Sequence, residues 1–352
     1  MVSVSLCMIV KNEEEVLERC LKSVKSFVDE IIIVDTGSTD NTKQIAKKYT
    51  NKIYDFVWCN DFSKARNFAF SKSTCSYVMW LDADDIVPKK SLNKLMGLKT
   101  NLTADVYMLK YDIAFCDNKS TFSYFRERII KNCDKCIWQG VVHECITPFG
   151  KVENIDISIE HRKIKTSDSN RNLKIYQNLA KERILNPREQ YYFARELFDH
   201  KKYTKCIQVL NRFIKEGKGW VENIIESYVI LYKCYVILNK PLKQHECLTK
   251  TFLYDLPRAN VCCYLGDYFL QQKQYKNACY WYNSATKCKD ISHTGAFVEP
   301  IYYNYYPYMQ LCYITSLLGD NKKAAKFNNL AGKYYKSAAY LHNKKYFENL
   351  SI

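Results

Sequence analysis

Asp82 and Asp84 stand two residues apart, directly after the apolar run Tyr77-Val78-Met79-Trp80-Leu81. If strand geometry persists to the end of that run, both carboxylates leave the same face of a sheet. Two anionic oxygens at a strand's carboxyl end make a hard-cation site for Mg2+ or Mn2+, with coordination positions left over for substrate phosphate oxygens. The chemistry this pair supports is the handling of a phosphorylated donor. The competing reading is structural, an Asp-rich turn that caps the following helix.

The elements that must position these carboxylates follow from hydrophobic periodicity. Val4 to Val10 is a short apolar run, and Val16, Leu17, Cys20, Leu21, Val24 and Phe27 fall at helical spacing. Ile31-Ile32-Ile33-Val34 reads as a buried strand that ends in Asp35-Thr36-Gly37-Ser38-Thr39-Asp40. Asn41 to Tyr49 and Phe62 to Ser71 read as helices, while Lys52 to Val57 and Ser76 to Leu81 read as extended. Such alternation predicts an α/β domain with a parallel, Rossmann-like sheet whose ligands collect at the carboxyl ends of strands.

Five segments in this order resemble the inverting family 2 glycosyltransferases of GT-A fold. They are Met8-Ile9-Val10-Lys11-Asn12-Glu13, Val34-Asp35-Thr36-Gly37-Ser38-Thr39-Asp40, Asn60-Asp61-Phe62-Ser63-Lys64-Ala65-Arg66-Asn67, Trp80-Leu81-Asp82-Ala83-Asp84-Asp85 and Trp138-Gln139-Gly140-Val141-Val142-His143-Glu144. The resemblance covers roughly residues 3 to 165. It implies a nucleotide-sugar donor, usually a UDP-sugar, bound by Lys11, Asn12, Glu13, Asp35, Ser38, Arg66, Asn67, Asp82 and Ala83. It also implies Mg2+ or Mn2+ at Asp82 and Asp84, with His143 and His161 as further candidate ligands.

Several of these residues have a physical role that can be stated without the family. Asp35 can accept hydrogen bonds from a base or ribose, and Gly37 lets the backbone turn where a side chain would collide. Asp40 or Ser38 equally suits the cap of the next helix, and Asp40 is assigned mainly to that. The Arg66 fork suits a diphosphate or a uracil carbonyl, the alternative being an exposed helix ion pair of little energetic weight. Glu13 also fits as a first-turn acid that complements a helix dipole.

Sugar transfer requires neutralisation of the departing diphosphate and a carboxylate or imidazole on the opposite face to activate the acceptor. Glu144 is assigned as general base and His143 as a metal or phosphate ligand, on a segment read as strand-like with adjacent side chains on opposite faces. The alternative is a core histidine beside an edge-strand charge. His161, in Ile157-Ser158-Ile159-Glu160-His161-Arg162, is a candidate to reach the diphosphate or else a structural strand-end histidine.

The 16 cysteines are scattered rather than set in a framework, which predicts a reducing, cytoplasmic setting. Cys133-Asp134-Lys135-Cys136 has no second pair to complete a zinc site and reads as a turn. No leader sequence is recognised and no apolar run reaches the ~20 residues of a membrane span, so a soluble protein is expected. The net charge of +16 is dispersed and accompanied by no nucleic-acid motif, which favours acidic acceptors or anionic surfaces over nucleic acid.

After about residue 165 the pattern changes to long amphipathic stretches, giving expected domains of 1–165 (catalytic) and 166–352 (all-α, tetratricopeptide-like). The first stretch runs from Asp168 to Asn186, with Pro187 as a break. The clearest repeat is Tyr264-Leu265-Gly266-Asp267-Tyr268-Phe269 with Tyr275, Ala278, Tyr282 and Ala285. Turn positions at 203, 242 and 275 are 39 and 33 residues apart, near the roughly 34 of such repeats, and Leu318-Gly319-Asp320 with Ala324 marks a degenerate last copy. About four stacked hairpins are expected. Most of the 29 tyrosines are assigned to hairpin core. The segment Val298 to Pro307 has three readings: a peptide groove, a homodimer contact or the start of a solenoid helix.

The arrangement resembles glycocin peptide glycosyltransferases and flagellin-modifying transferases, which implies transfer to a Ser, Thr or Cys side chain of a protein or peptide. Two alternatives stay open: transfer to lipopolysaccharide core or another glycan, and a repeat scaffold with a vestigial transferase domain.

Overall fold

The computed structural model describes residues 2–116, 119–164, 170–291, 296 and 298–351. The chain divides into two compact units, Met1–Ile184 and Leu185–Ile352.

The first unit runs β1 (Val4–Val10), α1 (Leu17–Val24), β2 (Glu30–Asp35), α2 (Thr42–Lys47), β3 (Ile53–Asp55), α3 (Phe62–Phe70), β4 (Tyr77–Trp80), β5 (Asp85–Ile86) and α4 (Lys89–Lys99). It continues with β6 (Val106–Cys116), β7 (Lys119–Lys131), β8 (Trp138–Gln139), β9 (Cys145–Ile146), β10 (Val152–His161) and α5 (Arg171–Glu182). Eight strands form one mixed sheet in the order β3-β2-β1-β4-β7-β6-β10-β5, and β8 pairs with β9 separately. The strands β3, β2, β1 and β4 are parallel, and β2, β1 and β4 are near-continuously buried, as central parallel strands are. Strand β7 enters antiparallel between β4 and β6, and β10 returns parallel to β6. The unit has the GT-A-like fold class that the sequence predicts.

Alternation along β1 explains why the sheet is covered on both faces. Leu6, Met8 and Val10 join Leu17, Leu21 and Val24 of α1 in one core, while Cys7 joins Val34, Trp80 and Phe70 of α3 in the other. The Asp61 carboxylate accepts the Lys64 N–H at 3.0 Å and so sets the start of α3, the helix that carries Arg66 and Asn67. At Cys133-Asp134-Lys135-Cys136 the Cys136 N–H donates to the Cys133 carbonyl, closing a turn. Among the described residues the cysteines are free thiols.

The second unit consists of helical hairpins: α6 (Pro187–Asp199) with α7 (Tyr203–Glu216), α8 (Val221–Ile237) with α9 (Pro241–Lys250), α10 (Ala259–Gln271) with α11 (Tyr275–Ala285), and α12 (Tyr305–Leu317) with α13 (Asn321–Gly332). A last helix, α14, spans Ala338–Asn349. The stretch expected to begin at Asp168 forms α5 from Arg171, and residues 165–169 lie outside the described residues. Pro187 opens α6 as its first residue, with a reciprocal capping box between Asn186 and Glu189. At the clearest repeat, a Cβ on Gly266 would lie 2.5 Å from the Tyr282 ring, so only glycine admits the approach of α10 and α11. The two-proline segment forms a 3-10 turn at Pro300–Tyr303 and then the first turn of α12, in agreement with its reading as the start of a helix. No helix among the described residues is long and apolar enough to cross a membrane.

Candidate active site

The site is built at the carboxyl ends of the parallel strands. Asp35 closes β2 and is 1% exposed. Its Oδ2 accepts the backbone N–H of Gly37 at 3.1 Å and of Ser38 at 3.0 Å, while its buried Oδ1 has no hydrogen-bond partner among the described residues. Gly37 turns at φ +100°, a conformation that glycine adopts without strain. The loop after β1 is fastened to this wall: the Asn12 N–H donates to Ser38 Oγ at 2.9 Å, and Asn12 Oδ1 accepts the Thr39 N–H at 2.7 Å. The Glu13 N–H donates to Thr42 Oγ1 at 2.7 Å, and its carbonyl accepts from Val16 and Leu17 at the start of α1. Lys11 is exposed at the same edge. Asp40 Oδ1 accepts the Thr42 N–H at 3.0 Å and its Oδ2 the Glu14 N–H at 3.2 Å, while Asn41 takes the cap position of α2 without a side-chain capping bond.

The second half of the site is an arginine-carboxylate lattice around Trp80. Arg66 Nη2 donates to Asp82 at 2.8 Å and its Nε to Glu144 at 2.7 Å. The same guanidinium lies 4.9 and 4.8 Å from the ring centres of Trp80 and Trp138. Arg126 and Arg128 also pack on Trp80, at 4.9 and 3.7 Å, so three guanidinium groups share one indole. Arg126 pairs with Glu127 and donates to the Glu144 carbonyl at 3.2 Å. Arg128, wholly buried, donates to Asp85 at 3.0 Å and to the Trp80 carbonyl at 3.2 Å.

Asp85 is the internal brace of the aspartate turn. Its Oδ2 accepts the Asp82 N–H at 3.0 Å, and its Oδ1 accepts the Tyr111 hydroxyl at 2.9 Å. The two-residue strand β5 pairs antiparallel with β10 and sets Asp85 opposite His161. As a result Asp84, Asp85 and His161 bring ligand atoms within 4.8 Å of one another, with His161 Nδ1 at 3.4 Å from both carboxylates and 2.8 Å from the Tyr111 hydroxyl. Asp85 has no exposed surface and its oxygens are taken by protein donors, so the accessible ligand atoms are those of Asp84 and His161, with Asp82 at the rim.

The electrostatics separate the three aspartates. Burial works against the charge on Asp82, but Arg66 and then Arg128 outweigh it and pull the carboxyl down to about 2. Asp84 goes the other way, raised by burial and by the like charges of Asp82 and Asp85 against the opposing pull of His161. Burial disfavours His161 charge, yet the Asp85 hydrogen bond and the charges of Asp84 and Asp85 raise it above its ordinary value. A carboxylate crowded by like charges at a partly open rim fits a divalent cation, whose hard-oxygen preference matches Asp84 and whose charge relieves the crowding.

Several sequence assignments are altered by this geometry. Arg66 does not offer a free fork to a diphosphate or uracil, because Asp82 and Glu144 already occupy it. Asn67 is turned to structural use: its amide donates to the Trp138 carbonyl at 3.0 Å and accepts the Trp138 N–H at 2.8 Å, fixing β8. The methyl of Ala83 lies in the hydrophobic core. The segment before Glu144 is no continuous strand, since Gly140 (φ +97°) and His143 (φ +53°) both take left-handed conformations. His143 is exposed and does not join the Asp84–Asp85–His161 group. Tyr176 of α5 supports that segment through a 3.1 Å hydrogen bond to the Val142 carbonyl.

From sequence Asp85 was named only as the end of its motif, with no role of its own, and Tyr111, Arg126, Glu127 and Arg128 were not singled out. The signal available was Arg126-Glu127-Arg128 embedded in a strand that continues into Ile129-Ile130, where charges are buried only when paired.

Residues 5–150 match the sequence model of glycosyl transferase family 2. The chain is 26% identical over 256 residues to the SPbeta prophage-derived glycosyltransferase SunS of Bacillus subtilis, covering 66% of this chain and 58% of SunS. It is 51% identical over 85 residues to a TPR repeat-containing protein of Synechococcus elongatus, covering 24% of this chain and 21% of that one. The chain thus spans less than two thirds of the length of these curated relatives. Among solved structures, S. aureus TarS 1-349 in complex with UDP-GlcNAc is similar at 15% identity and a TM-score of 0.39, over 71% of this chain and 88% of that one. Residues 5–150 thus carry a glycosyl transferase family 2 domain, and tetratricopeptide-like helical hairpins follow it.

Proposed function

We propose that the chain is an inverting, metal-dependent glycosyltransferase that moves a sugar from a UDP-sugar to a Ser, Thr or Cys side chain of a protein or peptide. One observation carries the reading: Arg66 holds the Asp82 and Glu144 carboxylates at 2.8 and 2.7 Å. A strand-end acid suited to the donor and a carboxylate suited to the acceptor are therefore oriented by one rigid guanidinium, which is seated between two indoles.

On the donor side, the unpartnered Oδ1 of Asp35 accepts an N–H or O–H of the base or ribose, and the Lys11–Glu13 and Ser38 backbones frame it. Asp84, His161 and Asp82 would hold Mg2+ or Mn2+, which supplies neutralisation of the charge on the departing UDP. On the acceptor side, Glu144 takes the proton as the hydroxyl or thiol attacks the anomeric carbon and the bond from that carbon to the diphosphate oxygen breaks on the opposite face. A thiol, already partly ionised near its ordinary pKa of ~8.5, needs less help than a hydroxyl. The free thiols fit a reducing cytoplasm. The helical unit is assigned to selection of the acceptor, and the retained Asp82, Asp84 and Glu144 argue against a vestigial transferase.

The test is donor hydrolysis and transfer with a panel of UDP-sugars and Mn2+. Asp84→Ala is expected to lose roughly a hundredfold or more in turnover, and equal turnover would defeat the metal assignment. Glu144→Gln should lose transfer yet keep UDP affinity; a large affinity loss would make Glu144 a binding residue instead. A chain shortened to Ile184, which keeps α5 and its bond to Val142, should hydrolyse donor but fail to modify the acceptor.

A further inference from the structure

The helical unit has two depressions lined by one face of the same helices. The first is narrow, about 30 Å³, and takes Tyr191 from α6, Asn223 and Glu226 from α8, and Asn260 from α10. The second, about 540 Å³, takes Phe198, Lys233, Ile237, Tyr264 and Asp267 from those same three helices and Tyr306 from α12. Along α8 the lining residues advance by three or four positions from Glu222 to Ile237, so they form one stripe. At ~1.5 Å per residue that stripe is about 22 Å long, enough for roughly six or seven residues of extended chain.

The two ends differ in chemistry. At the first, Glu222 is neutralised by Arg258 at 2.6 Å, but neither Glu226 nor Glu299 has an ion pair among the described residues. Glu226 also has no hydrogen-bond partner there; burial raises its pKa, and Glu299 adds to the shift against the pull of Lys233, Arg195 and Arg258. The Tyr191 hydroxyl, on a wholly buried side chain of the same lining, makes no hydrogen bond among the described residues; burial and the neighbouring Glu226 raise its pKa, and Arg195 acts the other way. Tyr191, Trp220 and Tyr303 present aromatic rings beside these carboxylates. Carboxylates that make no direct ion pair and stand among aromatic rings suit a cation that carries donors. At the second depression Asp267 is already satisfied by the hydroxyls of Tyr282 and Tyr306, and Val236, Ile237 and Leu270 make the lining apolar.

We propose that the recess at Glu226 and Tyr191 binds one lysine or arginine side chain of an extended polypeptide lying along this face, with an apolar residue of the same polypeptide in the groove beyond. The proposal rests on the reading of the acceptor as a polypeptide and adds to it a basic-then-apolar recognition pattern.

The full chain is panned against displayed random peptides long enough to span the groove, and synthesised winners are measured by fluorescence anisotropy. Winners should share a lysine or arginine at a fixed spacing from an apolar residue. Replacing that basic residue with glutamine should weaken binding to the wild-type protein by about tenfold to a hundredfold, and Glu226→Gln should remove most of that discrimination. No enrichment, winners without a basic residue, or undiminished discrimination in a Glu226→Gln protein of native melting temperature would overturn the inference. Winners that bind as described yet receive sugar from no UDP-sugar would leave the recess assigned and overturn the acceptor reading.

Discussion

Arg66 Nε and Glu144 Oε1 lie 2.7 Å apart, a bond that ties α3 to the segment after β8 and sets a carboxylate beside the aspartate turn. Both side chains are about nine-tenths buried, so Arg66→Ala leaves Glu144 enclosed without its counter-charge. Loss of one partner of such a pair costs about 3 kcal/mol, with the Asp82 share screened because that side chain is 35% exposed. Arg66→Lys keeps the charge but cannot fork to two carboxylates. The alanine variant is expected to melt well below wild type, and the lysine variant to melt near it while losing at least about tenfold in transfer. Unchanged transfer in Arg66→Lys would separate the ion pair from catalysis.

Acid sensitivity should report on Glu30, at the start of β2. Burial raises its pKa, but Lys52, the Ser5 hydroxyl and the N–H and hydroxyl of Thr74 outweigh burial and bring it from an ordinary 4.5 down to about 2. A carboxyl whose folded pKa is depressed contributes stability above its unfolded pKa and loses it as pH falls through the folded value. The contribution should therefore be complete above pH 4.5 and disappear by about pH 2. Glu30→Gln should melt lower than wild type at neutral pH, with the two melting curves converging toward pH 2. A constant gap would show that the carboxylate charge does not carry the effect.

The parallel strands and the residues at their ends were legible because apolar runs and helical periodicity are local signals. The pairing that completes the site was not. Asp85 meets His161 only through β5, two residues long, and Arg128 reaches the site only because β7 inserts antiparallel between β4 and β6. Neither long-range register leaves a periodic trace. The segment before Glu144 was read as a strand from its valines, whereas Gly140 and His143 bend it through positive φ. In the helical unit, small and aromatic residues marked the packing, with Ala278, Tyr282 and Ala285 all fully buried.

Gly266→Ala tests that packing. Alanine gains up to about 1 kcal/mol in helix propensity over glycine. Against this, the new methyl carbon would sit 2.5 Å from the Tyr282 ring, which is buried and held by its hydroxyl bond to Asp267. Overpacking of this kind costs about 1–3 kcal/mol, so the net effect should be destabilising, read as a lower melting temperature. A rise would show that the ring can withdraw.

The hairpin turns carry a repeat that no residue type advertises. Lys201, Asn239, Lys273 and Gly319 each take positive φ, from +52° to +86°, in the short links between paired helices. In each link the following N–H bonds five residues back: Lys202 to Leu197, Lys240 to Tyr235, Gln274 to Phe269 and Asp320 to Thr315. This is one helix-ending motif used four times, with glycine supplied once. Lysine in this conformation is strained by about 1 kcal/mol, a cost glycine avoids although it adds backbone entropy to the unfolded chain. Lys273→Gly should therefore stabilise the protein by up to about 1 kcal/mol, while Gly319→Ala should destabilise it by a similar amount. Thermal melts of the two single variants and the double variant should show opposite and additive shifts, since the positions lie in separate turns. A fall in stability for Lys273→Gly would mean that the side chain contributes more than its backbone conformation costs.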